Sequence, residues 1–282
     1  MTTTPSTWFV TGTSRGLGLQ LVRQLLDRGE HVAATTRSAQ RLLDGLEGAD
    51  TTRLLPLEVD LADEQAVRAA VGRTVDRFGG LDVVVNNAGY GHLAAVEEVS
   101  DREARDMFDV QVFGVWNVLR AALPLMREAG GGHVVNVSSV LGLTAFPGWG
   151  LYCAAKHALE GLTESLAAEV SDMGIRVHLI EPGYMRTDFL TPASLALPEQ
   201  TVPGYEPVRE MTAAHQAMPG TQLGDPTRAA EAVIAVVESS AAPLHQVLGS
   251  DSRELVTARL AALKADVDAG APLTPTTDIV SV

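Results

Sequence analysis

The chain has 282 residues, of which 46% are hydrophobic, and this is enough apolar material for one large α/β core. Its formal net charge of −14 argues against nucleic acid and anionic membranes as partners. One cysteine permits no internal disulfide, no apolar run approaches the ~20 residues of a membrane span, and the histidines are scattered without a metal-binding motif. We therefore expect a cytoplasmic protein without a metal.

Short apolar runs alternate with helical patterns along the chain. The predicted strands cover 8–10, 31–35, 53–57, 83–86, 133–137, 175–181 and 246–248. The predicted helices between them cover 17–28, 63–78, 101–128, 151–172 and 227–239. This alternation predicts a Rossmann-type, doubly wound, seven-stranded parallel sheet with helices on both faces. Because no composition break separates two parts of the chain, residues 1–282 are predicted to form one dinucleotide-binding and catalytic domain.

A glycine-rich turn follows the first predicted strand, in the segment Thr11-Gly-Thr-Ser-Arg-Gly-Leu-Gly18. Glycines between a strand and a helix permit a tight turn and let the backbone approach a pyrophosphate, which the helix N-terminus attracts. A plain strand-to-helix turn would need glycine for the same geometry. The strand directly before the turn favours dinucleotide binding.

A tyrosine, a lysine and a serine carry the main catalytic prediction. Tyr152 and Lys156 are four residues apart, so they share one face of a predicted helix. A cation near a phenol favours the phenolate and lowers the pKa from its ordinary value near ~10. Ser139 follows the predicted strand 133–137, where its hydroxyl can bind a substrate oxygen. This combination suits the interconversion of a carbonyl and an alcohol, with Tyr152 as the acid and base.

In order and spacing, these motifs resemble the short-chain dehydrogenase/reductase family in its single-domain form. The resemblance runs from about Thr7 to Asp188, through the glycine turn, Asp60, Asn86-Asn87-Ala88-Gly89, the serine, the tyrosine, the lysine and Pro182-Gly183. It implies a nicotinamide cofactor and a small carbonyl or alcohol substrate. The cofactor contacts predicted with it are Gly12, Ser14, Arg15, Gly16, Leu17, Gly18, Arg37, Asp60, Leu61, Asn87, Ala88, Gly89, Tyr152, Lys156, Pro182, Gly183 and Thr187.

One position departs from the family pattern. Gln111 stands three residues before Gly114, where the long helix of the family usually carries an asparagine that is thought to hold a proton-relaying water. Glutamine has the same amide on one more methylene, so Gln111 is predicted as a catalytic residue with a shifted geometry. A tolerated variant without that role is the alternative.

Charge at the end of the second predicted strand favours NADP(H) over NAD(H). An NAD-preferring fold places a carboxylate there for the ribose 2′-hydroxyl, whereas this strand is followed by Thr36 and Arg37. Arg15 could reach a 2′-phosphate from the opposite side, and an Arg–phosphate contact is charge-assisted. Each arginine alone is more often a surface charge, but the two together predict NADP (NADPH).

Two segments and two helices add further expectations. Residues 185–225 are rich in proline and glycine and are predicted to form a substrate loop or lid. Residues 268–282 are predicted to be a flexible tail, with an arm on another subunit as the alternative.

The helices at 101–128 and 151–172 are apolar on more than one side. These helices pair between subunits in the resembling family, so a homodimer or homotetramer is expected.

Three functions were weighed for this chain. The first is an NADP(H)-dependent ketone reductase or alcohol dehydrogenase, with a bulky apolar substrate suggested by the likeness of residues 181–189 to hydroxysteroid-dehydrogenase-like proteins. The second is an epimerase or dehydratase, but those relatives have a longer C-terminal domain and another glycine spacing. The third is a non-enzymatic nucleotide-binding regulator, in which a degraded Tyr/Lys pair is expected. The intact pair favours the first.

Overall fold

The computed structural model describes residues 5–279. Its strands are β1 (Thr7–Thr11), β2 (His31–Thr36), β3 (Leu54–Glu58), β4 (Val83–Asn86), β5 (Gly91–His92), β6 (Gly132–Val137), β7 (Ile175–Pro182), β8 (Leu195–Ala196) and β9 (His245–Leu248). Seven of them form a parallel sheet in the order β3-β2-β1-β4-β6-β7-β9, and β5 pairs with β8 in a separate two-stranded sheet. These elements confirm the predicted doubly wound α/β fold.

Helices cover both faces of the large sheet. They are α1 (Gly16–Asp27), α2 (Ala39–Gly45), α3 (Glu64–Phe78), α4 (Asp101–Phe108), α5 (Gly114–Ala129), α6 (Gly150–Glu169), α7 (Glu206–Gln216), α8 (Pro226–Glu238) and α9 (Ser250–Gly270).

The alternation of side chains along each strand divides the core into two layers. In β1, Trp8 and Val10 enter the layer that holds α1 and α8, whereas Phe9 enters the layer that holds α3, α5 and α6. Neighbouring strands follow the same rule, because successive side chains of a strand point to opposite faces of the sheet. Both faces are therefore apolar, which explains the nearly continuous hydrophobic runs in the sequence.

The predicted long helix at 101–128 is interrupted. Its first part is α4, its last part is α5, and a π-helical turn at Asp109–Phe113 joins them. Gly114 begins α5 in close contact with the segment after β3, where an added Cβ would lie 2.9 Å from Leu61 Cβ. The turn also shifts the direction of Gln111, which lies inside it.

Three helices were not predicted, namely α2, α7 and α9. Helix α2 is a short helix capped by Ser38, and α7 lies inside the segment 185–225. Helix α9 leaves the body of the protein, and residues 257–279 are all exposed. It ends at Gly270 and a 3₁₀ turn follows at Thr274–Thr277. The predicted flexible tail at 268–282 therefore begins with the end of a helix, and residues 280–282 lie outside the described part; its flexibility stays a prediction.

Candidate active site

A cavity of about 480 Å³ lies at the carboxyl ends of β1, β2, β4, β6 and β7. Ligands of parallel α/β sheets bind at this edge, and the volume falls in the range of small-molecule sites. Of the residues predicted for catalysis or cofactor binding, only Gly18 and Gln111 do not line the cavity. Those that do are Gly12, Ser14, Arg15, Gly16, Leu17, Arg37, Asp60, Leu61, Asn87, Ala88, Gly89, Ser139, Tyr152, Lys156, Pro182, Gly183 and Thr187.

The glycine turn packs closely against the segment that follows β4. Gly12 has φ +70°, and a Cβ there would lie 2.6 Å from Ala88 Cα. Gly16 has φ +57° and begins α1. Gly18 lies behind the turn, where an added Cβ would meet Asn87 Nδ2 at 2.5 Å. Its lack of a side chain lets α1 pack against the turn, so Gly18 shapes the cavity without lining it.

Hydrogen bonds of Asn87 link the end of β4 to the end of β1. Its side-chain amide donates to the carbonyl oxygens of Thr11 and Gly12, at 2.9 and 3.0 Å. In return, the Thr11 hydroxyl accepts from the backbone N–H groups of Asn87 and Ala88, each at 3.0 Å. These four bonds fix the floor of the glycine turn, which the motif alone did not reveal.

Two arginines stand together on one side of the cavity. Burial lowers the pKa of Arg15, and the positive charge of Arg37 lowers it further, while Asp188 opposes the change. The acid nearest the end of β2 along the sheet is Glu58, which pairs with Thr36 in register. Its carboxylate accepts from the Ala39 N–H at 2.8 Å and does not line the cavity. An anion between the arginines would relieve their repulsion.

Tyr152 and Lys156 are 5% and 4% exposed, and both side chains lie on the cavity side of α6. Lys156 Nζ donates to the Val137 carbonyl oxygen at 3.0 Å and lies 5.6 Å from the centre of the Tyr152 ring. Burial lowers the pKa of Lys156 to about 8, against the effect of Glu160. Burial also raises the pKa of Tyr152 well above its ordinary value, while a hydrogen bond with Ser139 opposes the rise.

Contrary to the sequence expectation, the pKa of Tyr152 is therefore raised in this structure and not lowered. The Lys156 ammonium donates to the carbonyl of Val137 at the end of β6, and the loss of hydration on burial of the phenol outweighs the expected lowering of its pKa. The Tyr152 hydroxyl consequently keeps its proton at ordinary pH. Ser139 lies beside it at the start of a 3₁₀ turn, where its hydroxyl accepts from the Leu141 N–H at 3.1 Å.

Gln111 lies behind the cavity wall. Its Nε2 donates to the Tyr90 carbonyl at 2.9 Å, and its buried Oε1 has no hydrogen-bond partner. An added Cβ on Gly89 would lie 2.8 Å from that Oε1, so a glycine wall separates the amide from the cavity. The structure does not bring Gln111 together with Tyr152, Ser139 and Lys156, and its part in a proton relay stays a prediction.

Aromatic side chains form much of the remaining wall. The Tyr152 ring contacts those of Trp149 and Phe189, with centroid distances of 5.5 and 5.7 Å. Tyr184 Oη lies 3.0 Å from Nε2 of His215, a residue of the unpredicted helix α7. Phe146, Trp149, Leu190 and Leu195 also line the cavity, and Tyr205, Met211 and Met218 pack behind it.

Comparison with known proteins agrees with this geometry. A family model described as short chain dehydrogenase matches residues 6–197. The chain is 34% identical over 247 residues to oxidoreductase BOA17 of Botryotinia fuckeliana, covering 88% of this chain and 90% of that protein. A short-chain dehydrogenase from Streptomyces avermitilis superposes with a TM-score of 0.90 at 35% identity, over 98% of this chain and 100% of that one.

A further solved structure contains a cofactor. It is a short chain dehydrogenase from Burkholderia cenocepacia in complex with NADP, with a TM-score of 0.72 at 28% identity, covering 97% of this chain and 99% of that one. The parallel sheet and the cavity at its carboxyl edge define a doubly wound α/β protein of the Rossmann type. The chain belongs to the short-chain dehydrogenase family, whose curated relatives are oxidoreductases. None of the helices between residues 5 and 279 is long and apolar enough to span a membrane.

Proposed function

We propose that the protein is an NADP(H)-dependent oxidoreductase that interconverts a ketone and a secondary alcohol. The observation that carries the proposal is the meeting of buried Tyr152 and Lys156 with Ser139 in one cavity, which the glycine turn also lines. The glycine spacing of this chain argues against an epimerase or a dehydratase, whose turn is spaced differently. A regulator could share the turn, but it would not need the intact set of Ser139, Tyr152 and Lys156.

The residues of this chain would handle the proton. A bound nicotinamide supplies or accepts the hydride. The Tyr152 hydroxyl would donate its proton to the substrate oxygen in the direction of reduction and take it back in oxidation. Ser139 would donate a second hydrogen bond to that oxygen as negative charge develops. By resemblance, Lys156 would hold the nicotinamide ribose, where its positive charge would also favour loss of the tyrosine proton.

The residues around the glycine turn fit a dinucleotide phosphate. The cavity extends to the glycine turn, and the N-terminus of α1 beside it offers free N–H groups to a pyrophosphate. Arg15 and Arg37 would bind the 2′-phosphate of NADP, and Asp60 and Leu61 would border the adenine. The Burkholderia relative that contains NADP supports this preference.

A bulky apolar substrate suits the aromatic wall. Phe146, Trp149, Phe189 and Leu190 line the cavity together with the phenol, and the segment 185–225 contributes to the wall through ten residues between 185 and 196 and through His215. Strand β8 of that segment pairs with β5, which anchors the segment beside the cavity. We propose that residues 185–225 act as the lid over the substrate.

The remaining expectations concern the whole protein. We propose that residues 1–282 form one domain that works in the cytoplasm as a homodimer or homotetramer. Support for the oligomer comes from Phe113 and Trp116, which are 51% and 43% exposed and lie three residues apart in the interrupted long helix. Neighbouring exposed apolar side chains on one helix face form a patch of the kind that marks interaction surfaces.

The proposed activity is tested by incubating the purified protein with NADPH and a panel of cyclic, aromatic and aliphatic ketones. We expect NADPH absorbance to fall with at least one bulky apolar ketone and to stay constant with the Tyr152→Phe variant. The reverse assay, with secondary alcohols and NADP, covers the oxidative direction. A protein that binds NADPH but turns over no ketone or alcohol contradicts the proposal.

A further inference from the structure

Two carboxylates and one imidazole, which come from three separate elements, lie close together in the structure. Glu160 lies one turn after Lys156 in α6, Glu181 lies in β7 and His245 lies in β9. One ligand atom from each falls within 4.8 Å of the others. His245 Nδ1 lies 2.7 Å from Glu181 Oε1 and 3.7 Å from Glu160 Oε2.

The carboxylates of this cluster are buried and short of partners. Glu160 is 4% exposed and Glu181 is fully buried. Both oxygens of Glu160 and Oε2 of Glu181 have no hydrogen-bond partner of acceptable geometry, although the Ser138 hydroxyl stands beside Glu160. Burial raises the pKa of Glu160 to about 7 and that of Glu181 to about 8. Unpaired carboxylates in such surroundings are strongly unfavourable, so the cluster needs a positive charge or protons.

We infer that Glu160, Glu181 and His245 bind a divalent transition-metal cation of the zinc class. Imidazole nitrogen and carboxylate oxygen are ligands that Zn²⁺ takes at ~2.0–2.2 Å, with three protein ligands and a water in open sites. Tetrahedral ligands at that distance lie about 3.4 Å apart. The two separations from His245 Nδ1, 2.7 and 3.7 Å, bracket this value, so small side-chain movements would complete the site.

The outer side of the cluster has the arrangement that metal-binding histidines favour. His245 Nε2 faces Glu164 Oε1 at 3.7 Å, and a carboxylate on the second ring nitrogen orients a metal-ligating imidazole. The His245 side chain is 37% exposed, which gives a cation a route from solvent. Magnesium is disfavoured, because it prefers oxygen ligands in an octahedral arrangement.

A cation bound by these three side chains would link α6 to β7 and β9. Helix α6 carries Tyr152 and Lys156, so the link would stabilise the element on which the proposed chemistry depends. The binding itself needs neither NADPH nor a substrate. The metal site and the proposed function can therefore fail independently.

The test uses untagged protein stripped with a chelator and titrated with ZnCl₂ by isothermal titration calorimetry. We expect one site per chain, undiminished by excess MgCl₂, and a rise of the unfolding midpoint by about 5 °C at a hundredfold excess over Kd. His245→Ala and Glu181→Gln should each weaken binding more than tenfold. His157→Ala, which removes an exposed histidine from the same helix, should bind like the wild type.

Two outcomes overturn the inference. If the wild type takes up no Zn²⁺, the carboxylates are held by protons. If both His245→Ala and Glu181→Gln keep the wild-type affinity, Zn²⁺ binds elsewhere on the surface. Should one variant fail to fold by circular dichroism, the other alone decides, since Glu181→Gln preserves shape and His245 is partly exposed.

Discussion

Lys156 Nζ donates a 3.0 Å hydrogen bond to the carbonyl oxygen of Val137, so the lysine of α6 is fastened to the last residue of β6. Ser139 follows that strand end by two residues, and Tyr152 lies one turn before the lysine. The bond therefore holds α6 against the strand that precedes the serine. It also orients a buried ammonium whose pKa burial lowers to about 8.

The pH dependence of turnover follows from that pKa. The ammonium form of Lys156 is present below about pH 8 and is lost as the pH rises through this value. We expect kcat/KM for ketone reduction to fall across this range, because the neutral amine can neither hold the ribose nor stabilise the phenolate. A Lys156→Arg variant keeps its positive charge over this pH range. The kcat/KM that it retains should therefore not fall as the pH rises through the range. A wild-type profile that is flat between about pH 6 and 10 would contradict the role.

Cofactor choice is tested at Arg37. Arg37→Ala should weaken NADPH binding about ten- to a hundredfold, because a charge-assisted contact with the 2′-phosphate is worth about 1.5–3 kcal/mol. NADH affinity, measured by the same fluorescence titration, should change little. Arg41→Ala is the matched control, since this neighbouring arginine does not line the cavity. Tighter binding of NADH than of NADPH by the wild type would show that the charge argument is wrong.

We expect His133 to make the free energy of unfolding depend on pH in the acid range. Its ring stacks on that of His178, and burial, followed by the charge effect of His178, lowers the pKa of His133 to about 4. Between about pH 6.5 and 4 the unfolded chain binds a proton there that the folded chain does not, so the free energy of unfolding falls as the pH falls. Urea unfolding at several pH values should show a weaker fall for His133→Gln. The exposed-histidine control His157→Gln should follow the wild type, and an unchanged slope in His133→Gln would contradict the assignment.

Oligomeric state is measured by light scattering at micromolar concentration. We expect a mass of two or four chains, because Phe113 and Trp116 are too exposed for a monomer. Trp116→Lys should shift the mass toward the 29.8 kDa of one chain. Leu260→Lys, at a 60% exposed position on α9, is the control variant, and it should keep the wild-type mass unless α9 forms the subunit interface. A wild-type mass near one chain would refute the oligomer.

The strands and the glycine turn were predictable because their signals are local. Runs such as 83–86 and 133–137 are apolar on both faces, and the turn at 11–18 needs glycine for backbone reasons that its sequence already contains. Their order along the chain then determines which strand ends share an edge. This is why nearly every predicted site residue lines the one cavity described above.

The features that were missed depend on packing between distant segments. The π-helical turn that contains Gln111 has no local signal in the sequence. Helix α9 escaped prediction because its apolar residues are spread around the helix and form no single apolar face. The cluster of Glu160, Glu181 and His245 joins three segments without a spacing motif, so only the folded sheet reveals it.

The central claim is that Tyr152 exchanges the proton with the substrate, and the most direct measurement pairs turnover with NADPH binding in Tyr152→Phe. Loss of the hydroxyl should reduce kcat by about 10²–10⁴-fold while the Kd for NADPH stays close to wild type. Tyr205→Phe is the control, because the Tyr205 hydroxyl donates to Glu97 outside the cavity. A Tyr152→Phe variant that turns over within about tenfold of wild type would contradict the account.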